Sequence, residues 1–349
     1  MPSFHSSRSA APPEWFDGHL DLAMLAVLGR DMDAELANAG GPELPAAVTL
    51  PSLRAGNVTH ALATIFTEIG GSDNRIGYAA HESSGAKRVG LAQLRVYEAW
   101  VLAGKAKFLK GPATHPPGAS PPLTIGILVE CADPIEGPAE LAWWQERGVV
   151  AVGLAWGKGS RYSAGNNPES VATSGTPGLT DLGRAMVKEM DRLGVVPDAS
   201  HLSDAAMDEV FTLTDRPVIA SHSNSRALIG DPANQRHLTD RAIAEIARRG
   251  GVIGLNLYAP FLRSGLAANQ RPGISDCVRH IDHICDIAGG RGYIGLGSDM
   301  DGGFSAARLP AGIDGPADLG KLAEALADEG WNSRDIQGFA SENWKRFWR

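Results

Sequence analysis

Cysteine is scarce in this sequence, which has three such residues among 349. Cys131, Cys277 and Cys285 form no C-x-x-C pair and are odd in number, which argues against a disulfide framework or a zinc–thiolate site. No run approaches about eighteen consecutive apolar residues, and residues 1–14 lack the apolar segment of a signal peptide. We therefore expect a cytoplasmic protein without a membrane partner.

Positively charged residues are outnumbered as well, since 32 Lys and Arg stand against 40 Asp and Glu. The net charge of −8 argues against nucleic acid as a partner and favours a small-molecule substrate. The G-x-S-x-G elbow of serine hydrolases is absent too. Ser adjoins His at Ser200-His201 and Ser221-His222, but neighbours on a strand point to opposite faces and form no catalytic pair.

Eight short apolar runs alternate with helix-forming segments such as Asp181–Leu193 and Asp240–Arg249. Near-continuous apolar runs of this length are typical of strands buried on both faces. The alternation predicts an α/β fold of the (β/α)8 TIM-barrel type, with a doubly wound open sheet as the competing architecture. We expect one domain over residues 15–349 after an N-terminal extension at 1–14. The runs are Trp15–Leu22, His60–Thr67, Leu123–Glu130, Val149–Trp156, Val195–His201, Pro217–His222, Gly251–Leu257 and Tyr293–Asp299.

Residues that commonly ligate metals stand at the ends of these runs. His19 and Asp21, two apart on a strand, would face the same interior. If Glu130 lies between two metals, its two oxygens bridge them, and His19 with Asp21 completes one site. His201 and His222 then complete the other. Imidazoles and carboxylates without thiolates suit Zn²⁺, so the pattern predicts a two-metal hydrolytic site at the C-terminal face of the barrel.

Asp299 adds a further carboxylate at the end of the eighth run. It lies in Gly295-Leu-Gly-Ser-Asp-Met-Asp-Gly, which matches neither a dinucleotide fingerprint nor a calcium loop. A carboxylate there can accept a proton from a metal-held water and pass it to a leaving amine. A structural, turn-capping role fits Asp301 better, because Gly302-Gly303 follows it.

Several stretches together resemble the membrane (renal) dipeptidase family of binuclear zinc peptidases, from about Trp15 to the C-terminus. The resemblance implies a metallo-dipeptidase that cleaves the amide bond of dipeptides with a metal-bridging hydroxide. It implies two divalent ions, expected to be Zn²⁺, held by the five ligands as grouped above. It also implies proton transfer by Asp299 and binding of the substrate carboxylate by Arg236, and it leaves a homodimer open. The matching stretches are Asp17-Gly-His-Leu-Asp-Leu, Leu50-Pro-Ser-Leu-Arg-Ala-Gly-Asn, Gly178-Leu-Thr-Asp-Leu-Gly, Met190–His201, Pro217-Val-Ile-Ala-Ser-His-Ser, Gly295–Gly302 and Glu342-Asn-Trp.

The end of the fourth run departs from the family pattern. Trp156 stands where the family has a His that binds the substrate carbonyl and the developing oxyanion. Trp offers one N–H donor and no charge, and losing one oxyanion donor typically costs about 3 kcal/mol of transition-state stabilisation. The alternatives are a diverged hydrolase acting on another small amide, lactam or ester, or a catalytically silent metal-binding relative. The loop Gly157–Gly178 that follows is predicted to cover the substrate.

Overall fold

Short parallel strands alternate with helices along most of the chain. The computed structural model describes residues 13–79, 82–110, 121–167, 169–170, 172, 175–267 and 269–349, so the predicted extension at 1–14 lies mostly outside the described residues. The strands are β1 (Trp15–Leu20), β2 (Val58–Ile65), β3 (Glu68–Ile69), β4 (Gly77–Tyr78), β5 (Ala106–Phe108), β6 (Leu123–Val129), β7 (Val149–Gly153), β8 (Val196–Asp198), β9 (Ile253–Leu255) and β10 (Ile294–Leu296).

Two of the predicted helix starts are confirmed by their caps. Thr180 accepts a hydrogen bond from the backbone N–H of Gly183, and Thr239 accepts one from Ala242. Among the described helices, none combines the length and the apolar character needed to cross a membrane. The helices are α1 (Leu22–Val27), α2 (Leu50–Ala55), α3 (Ser83–Leu102), α4 (Leu141–Gln145), α5 (Asp181–Leu193), α6 (Asp204–Leu213), α7 (Arg226–Ile229), α8 (Asp240–Arg248), α9 (Ala259–Leu262), α10 (Ile274–Ala288), α11 (Leu319–Asp328), α12 (Ser333–Gln337) and α13 (Asn343–Trp348).

The strands curl into a closed parallel barrel. Within the described residues, hydrogen-bonded neighbours follow the order β8-β7-β6-β2-β1-β10-β9. Strand β5 is not part of this order and pairs with β6 alone. Two single-residue bridges join the ends: Asp198 pairs with Ile219, and Ala220 pairs with Ile253 of β9. The segment around residues 219–220 therefore occupies the eighth strand position of the barrel, and the predicted (β/α)8 architecture is confirmed.

The sixth predicted run, Pro217–His222, forms parallel single-residue bridges at Ile219 and Ala220 instead of the continuous strand predicted. Its backbone hydrogen bonds go partly to side chains: the N–H of Ser221 donates to Asp198 Oδ1 at 2.9 Å, and that of His222 donates to Ser200 Oγ at 3.2 Å. Pro217 has no N–H to donate. The backbone pairing of this segment is therefore limited to the two bridges. The side chains of Asp198 and Ser200 accept the hydrogen bonds that a neighbouring strand would otherwise accept.

One end of the barrel interior is filled by an apolar cluster. Trp344 of α13 lies there, stacks on Phe16 at 5.9 Å between ring centroids, and donates from Nε1 to the carbonyl of Leu296 at 2.9 Å. Because this end is packed with apolar side chains, buried polar residues collect at the opposite end, where the strands terminate. The cluster consists of Phe16, Leu62, Leu128, Val150, Ala151, Ile219, Val252 and Trp344.

Most of the candidate ligands lie just beyond the strands, which are shorter than predicted. His19 is on β1, but Asp21 follows the strand and precedes α1, so the shared strand face applies to His19 alone. Glu130 comes directly after β6, and His201 and Asp299 each lie three residues past a strand. His201 has φ 66° and Asp299 has φ 59°. Non-glycine residues in this left-handed region are uncommon and cluster at functional sites.

Candidate metal centre

Glu130 lies between two pairs of the predicted ligands. Its Oε1 is 3.2 Å from His201 Nε2 and 3.6 Å from His222 Nε2. Its Oε2 is 3.7 Å from His19 Nε2, and that nitrogen is 3.9 Å from Asp21 Oδ1. The structure thus brings all five residues together and turns one carboxylate oxygen towards each pair, which is the arrangement a bridging ligand requires.

The imidazole nitrogens at this centre are placed as ligands of a cation would be. Within the described part of the chain, His19 Nε2 is buried and has no hydrogen-bond partner. The Nε2 atoms of His201 and His222 lie 2.9 Å apart, closer to each other than to Glu130. Both side chains are buried, at 9% and 1% exposure. Nitrogen and oxygen donors gathered in this way fit divalent ions of the zinc type.

Burial shifts the pKa values of the candidate ligands in the direction that favours their neutral forms. It raises the pKa of Glu130 to about 8. Burial, reinforced by the charge of Glu130, raises the pKa of Asp21 to about 6. Burial also lowers the pKa of His201 and His222 well below the usual range. Two positive ions would reverse the carboxylate shifts, since opposite charge favours the ionised form and metal ligands must be deprotonated.

Outer hydrogen bonds orient two of the ligands. Thr64 Oγ1, on β2, donates to Asp21 Oδ1. Asn166 Oδ1 lies 2.8 Å from His201 Nδ1. An amide oxygen only accepts, so His201 carries its proton on Nδ1 and leaves Nε2 free. Asn166 belongs to the predicted cover loop Gly157–Gly178, of which residues 168, 171, 173 and 174 lie outside the described residues. The loop therefore supports a ligand as well as bordering the site.

Asp299 lies at the same centre with its carboxylate buried. Its Oδ2 accepts a hydrogen bond from Asn256 Nδ2 at 2.9 Å, and burial raises its pKa to about 8. Gly302 packs against it so closely that a Cβ there would be 1.8 Å from Asp299 Oδ1. A fixed carboxylate with a raised pKa suits proton transfer near neutral pH, the role predicted for Asp299.

Asp301 is structural, as predicted, but its role is not to cap a turn. Its Oδ2 accepts hydrogen bonds from the backbone N–H groups of Ala47 and Val48, both at 2.8 Å, and pairs with the Arg30 guanidinium. Arg30 also donates to the carbonyls of Gly40 and other residues in the same loop. This buried ion pair joins the loop between α1 and α2 to the segment after β10, and Pro42 and Glu43 of that loop line the cavity above the centre.

A cavity of about 370 Å³ opens above the candidate ligands. Trp156 lines it, with its ring 5.2 Å from Phe66 in an edge-on contact and 5.8 Å from the His201 ring. Tyr258 and Phe304 stack at 4.5 Å on another part of the wall. The structure therefore places Trp156 beside the candidate ligand His201, with its ring among the aromatic side chains that line the cavity.

Arg236 reaches the same cavity from the segment before α8. Its Nη2 donates to the carbonyl of His222 at 2.8 Å and its Nη1 to Ser223 Oγ at 3.1 Å. Its Nε–H is buried and has no hydrogen-bond partner among the residues that the structure describes. The guanidinium lies 4.9 Å above the Phe261 ring. The unpaired donor suits a ligand carboxylate, which a guanidinium pairs through parallel N–H groups.

The outer residues of the site were not predicted from the sequence. Asp198 has a carboxylate oxygen within 4.8 Å of donor atoms of His19 and His222, and its one sequence signal is its place in the fifth predicted run, three residues before His201. Trp156 was singled out from the sequence, but the other aromatic residues of this wall, Phe66, Tyr258 and Phe304, lie outside the strands, where side chains follow no period that would mark them.

Comparisons with known proteins agree with this geometry. Residues 11–349 match the family described as membrane dipeptidase, peptidase family M19. The chain is 27% identical to an uncharacterized dipeptidase of Schizosaccharomyces pombe over 95% of this chain and 80% of that protein. It is 33% identical to dipeptidase 3 of Mus musculus over 49% of this chain and 33% of the mouse protein. A Rhodobacter sphaeroides metallo peptidase, solved with a phosphinate mimic of L-Ala-D-Ala, superposes with a TM-score of 0.79 at 25% identity over 97% and 99% of the chains.

Proposed function

The chain belongs to the membrane dipeptidase family, peptidase family M19, and on that premise we propose that it hydrolyses dipeptides with two Zn²⁺ ions at the centre around Glu130. The observation that carries the proposal is that the two carboxylate oxygens of Glu130 face different histidines. Oε1 faces His201 and His222, and Oε2 faces His19. The metals would activate a water and polarise the scissile carbonyl. His19 and Asp21 would hold one ion, and the two other histidines would hold the second.

The substrate would lie in the 370 Å³ cavity with its C-terminal carboxylate on Arg236. The buried, unpaired Nε–H of that side chain supports this assignment, since carboxylate binding would give it a partner. Asp299, held by Asn256 at 2.9 Å, would accept a proton from the attacking water and pass it to the leaving amine. The phosphinate mimic bound by the Rhodobacter sphaeroides protein makes an L-D dipeptide a reasonable first substrate.

Hydrolysis of another small amide, lactam or ester is the second candidate, and Trp156 favours it. The ring lies beside His201 and adds an aromatic surface where the family has an imidazole. An indole N–H is a single neutral donor, so oxyanion stabilisation from this position would be weaker. An apolar leaving group would gain from the contact with Trp156 and Phe66.

Reconstitution with zinc followed by a substrate panel tests both candidates. We expect about two ions per chain and turnover of L-L and L-D dipeptides, with a lactam and an ester as competing substrates. Preferred hydrolysis of the lactam or ester would establish the second candidate. A protein that binds fewer than two ions after reconstitution, or that binds two and hydrolyses no member of the panel, would refute the proposed function.

A further inference from the structure

Asp198 is a buried carboxylate whose oxygens are occupied by protein donors. Its Oδ1 accepts the backbone N–H groups of Ser200 at 3.0 Å and Ser221 at 2.9 Å. Its Oδ2 accepts the hydroxyl of Ser221 at 2.6 Å. Asp198 is 2% exposed. These three donors hold the carboxylate of Asp198 in one orientation beside His19 and His222.

The Ser221 hydroxyl contacts two imidazoles as well as Asp198. Its Oγ lies 3.1 Å from His19 Nδ1 and 2.8 Å from His222 Nδ1. A hydroxyl has one proton to donate and two lone pairs that accept. Because a carboxylate oxygen only accepts, the Ser221 proton goes to Asp198. Both lone pairs are then left to accept, so both imidazoles carry their proton on Nδ1.

With the proton on Nδ1, Nε2 is the nitrogen of each imidazole that is left to bind a metal, and in both residues it faces Glu130. His19 Nε2 faces Oε2 at 3.7 Å, and His222 Nε2 faces Oε1 at 3.6 Å. The two nitrogens therefore belong to different metal positions of the proposed function, on which this inference rests. We propose that Asp198 and Ser221 act as one positioning pair that sets the metal-binding tautomer at both positions at once.

Asp198→Asn should invert this arrangement with almost no change of shape. Two backbone N–H groups point at Oδ1, so the amide oxygen must take that place and the NH₂ group must take the place of Oδ2. Ser221 would then accept from the amide and keep one lone pair and one proton for two imidazoles. One imidazole would have to accept on Nδ1 and carry its proton on Nε2, where it cannot bind a metal.

A second Asp–Ser pair provides a matched control. Asp17 is also 2% exposed, and its Oδ1 accepts the backbone N–H groups of His19 at 3.1 Å and Ser298 at 2.8 Å. Its Oδ2 accepts the Ser298 hydroxyl. That hydroxyl accepts from the backbone N–H of Met300 at 3.3 Å and contacts no imidazole in the described structure. Asp17→Asn therefore removes the same buried charge without changing a tautomer.

The test measures zinc content and zinc affinity for the wild type, D198N and D17N after dialysis against buffered zinc. We expect about two ions per chain in the wild type and D17N, and about one in D198N. The long-range ¹⁵N spectrum of zinc-loaded D198N should show one imidazole protonated at Nε2 that the wild type lacks. Circular dichroism checks that all three proteins are folded.

Two ions bound by D198N with wild-type affinity, or an equal loss in D17N and D198N, would overturn the inference. If D198N does not fold, S221A decides the matter, since losing the shared acceptor should weaken zinc binding about 10–100-fold, and unchanged affinity would refute the pair. These readouts do not depend on dipeptide hydrolysis. A wild type that binds two ions but cleaves no dipeptide would therefore refute the proposed function and leave the tautomer test intact.

Discussion

The two sides of the cavity are built differently. On the metal side, His19, Glu130 and His222 are 0–4% exposed, and their donor atoms are oriented by the barrel or by hydrogen-bonded partners. On the aromatic wall of the same cavity, Trp156 and Tyr258 come from loops and contact mainly other rings, and Trp156 also lies 5.8 Å from the His201 ring. Hydrogen bonds to a strand end fix a side chain to one position, whereas ring packing tolerates substitution. The candidate ligands are therefore held in place mainly by hydrogen bonds at the barrel end, and the aromatic wall is built mainly by loops.

Glu130→Gln should have the largest effect on activity, because Glu130 lies between the two proposed metal positions. An amide keeps one oxygen acceptor and no charge, so it cannot serve both positions. We expect kcat/KM to fall ~1,000-fold or more, on the order of 4 kcal/mol, with loss of bound zinc measured in parallel. Trp156→Phe is the control from the aromatic wall and should keep both ions. Activity within about tenfold of the wild type in E130Q would contradict the bridging role.

Arg236→Met tests whether Arg236, which lines the cavity and donates to the carbonyl of His222, binds the substrate carboxylate. Removing the guanidinium should lower kcat/KM for a free dipeptide about 100-fold through a higher KM, because a buried partner of the substrate carboxylate is lost. A dipeptide amide lacks the carboxylate and should be affected much less. Measured zinc content should stay the same, although Arg236 also donates to the carbonyl of His222. Equal losses for the two substrates would place Arg236 outside carboxylate recognition.

Trp156→His sharpens the comparison from the aromatic wall. If the missing imidazole limits oxyanion stabilisation, the substitution should raise kcat for dipeptides about tenfold or more. If Trp156 instead binds the leaving group of another substrate, activity on that substrate should fall while dipeptide turnover rises. Steady-state kinetics on both substrate classes separates these outcomes. A fall in both would show that the ring supports catalysis as it stands.

The smallest expected effect is on the stability of the metal-free protein between pH 7 and 8.5. Burial raises the pKa of Glu130 and Asp299 to about 8, far above about 4 in an unfolded chain. The folded state then holds protons that the unfolded state has released, so stability falls as pH rises towards 8. The lowered pKa values of His201 and His222 act in the opposite sense only below about pH 6.5.

We expect Tm to fall by roughly 5 °C across this window, from about 1 kcal/mol per pH unit and carboxyl group. Saturating zinc should abolish the fall in Tm. Bound zinc requires ionised carboxylates, so the folded state no longer holds protons that the unfolded state has released. Scanning fluorimetry with chelator and with zinc makes the measurement. A Tm that rises from pH 7 to 8.5 in the chelated protein would contradict the raised pKa values.

The metal side was more predictable from the sequence than the aromatic wall. Glu130, His201 and His222 each end an apolar run and His19 lies near the end of the first, and parallel strands bring their ends to one end of the barrel whatever lies between them. Their roles as ligands stay a prediction, as do the cytoplasmic location, the homodimer and the single domain. Strand lengths were overestimated, and in the sixth run one reason is that the N–H of Ser221 donates to the Asp198 carboxylate instead of to a neighbouring strand.

The sequence by itself determined the family, the alternation of strands and helices, and the residue types at the strand ends. These follow from periodicity and local order, which act over a few neighbouring residues. Tertiary structure alone decided which Glu130 oxygen faces which histidine, and that one hydroxyl serves two imidazoles. His19 and Ser221 are 202 residues apart, and closure of the barrel sets the 3.1 Å between them. Donor and acceptor roles depend on such distances, which no local pattern encodes.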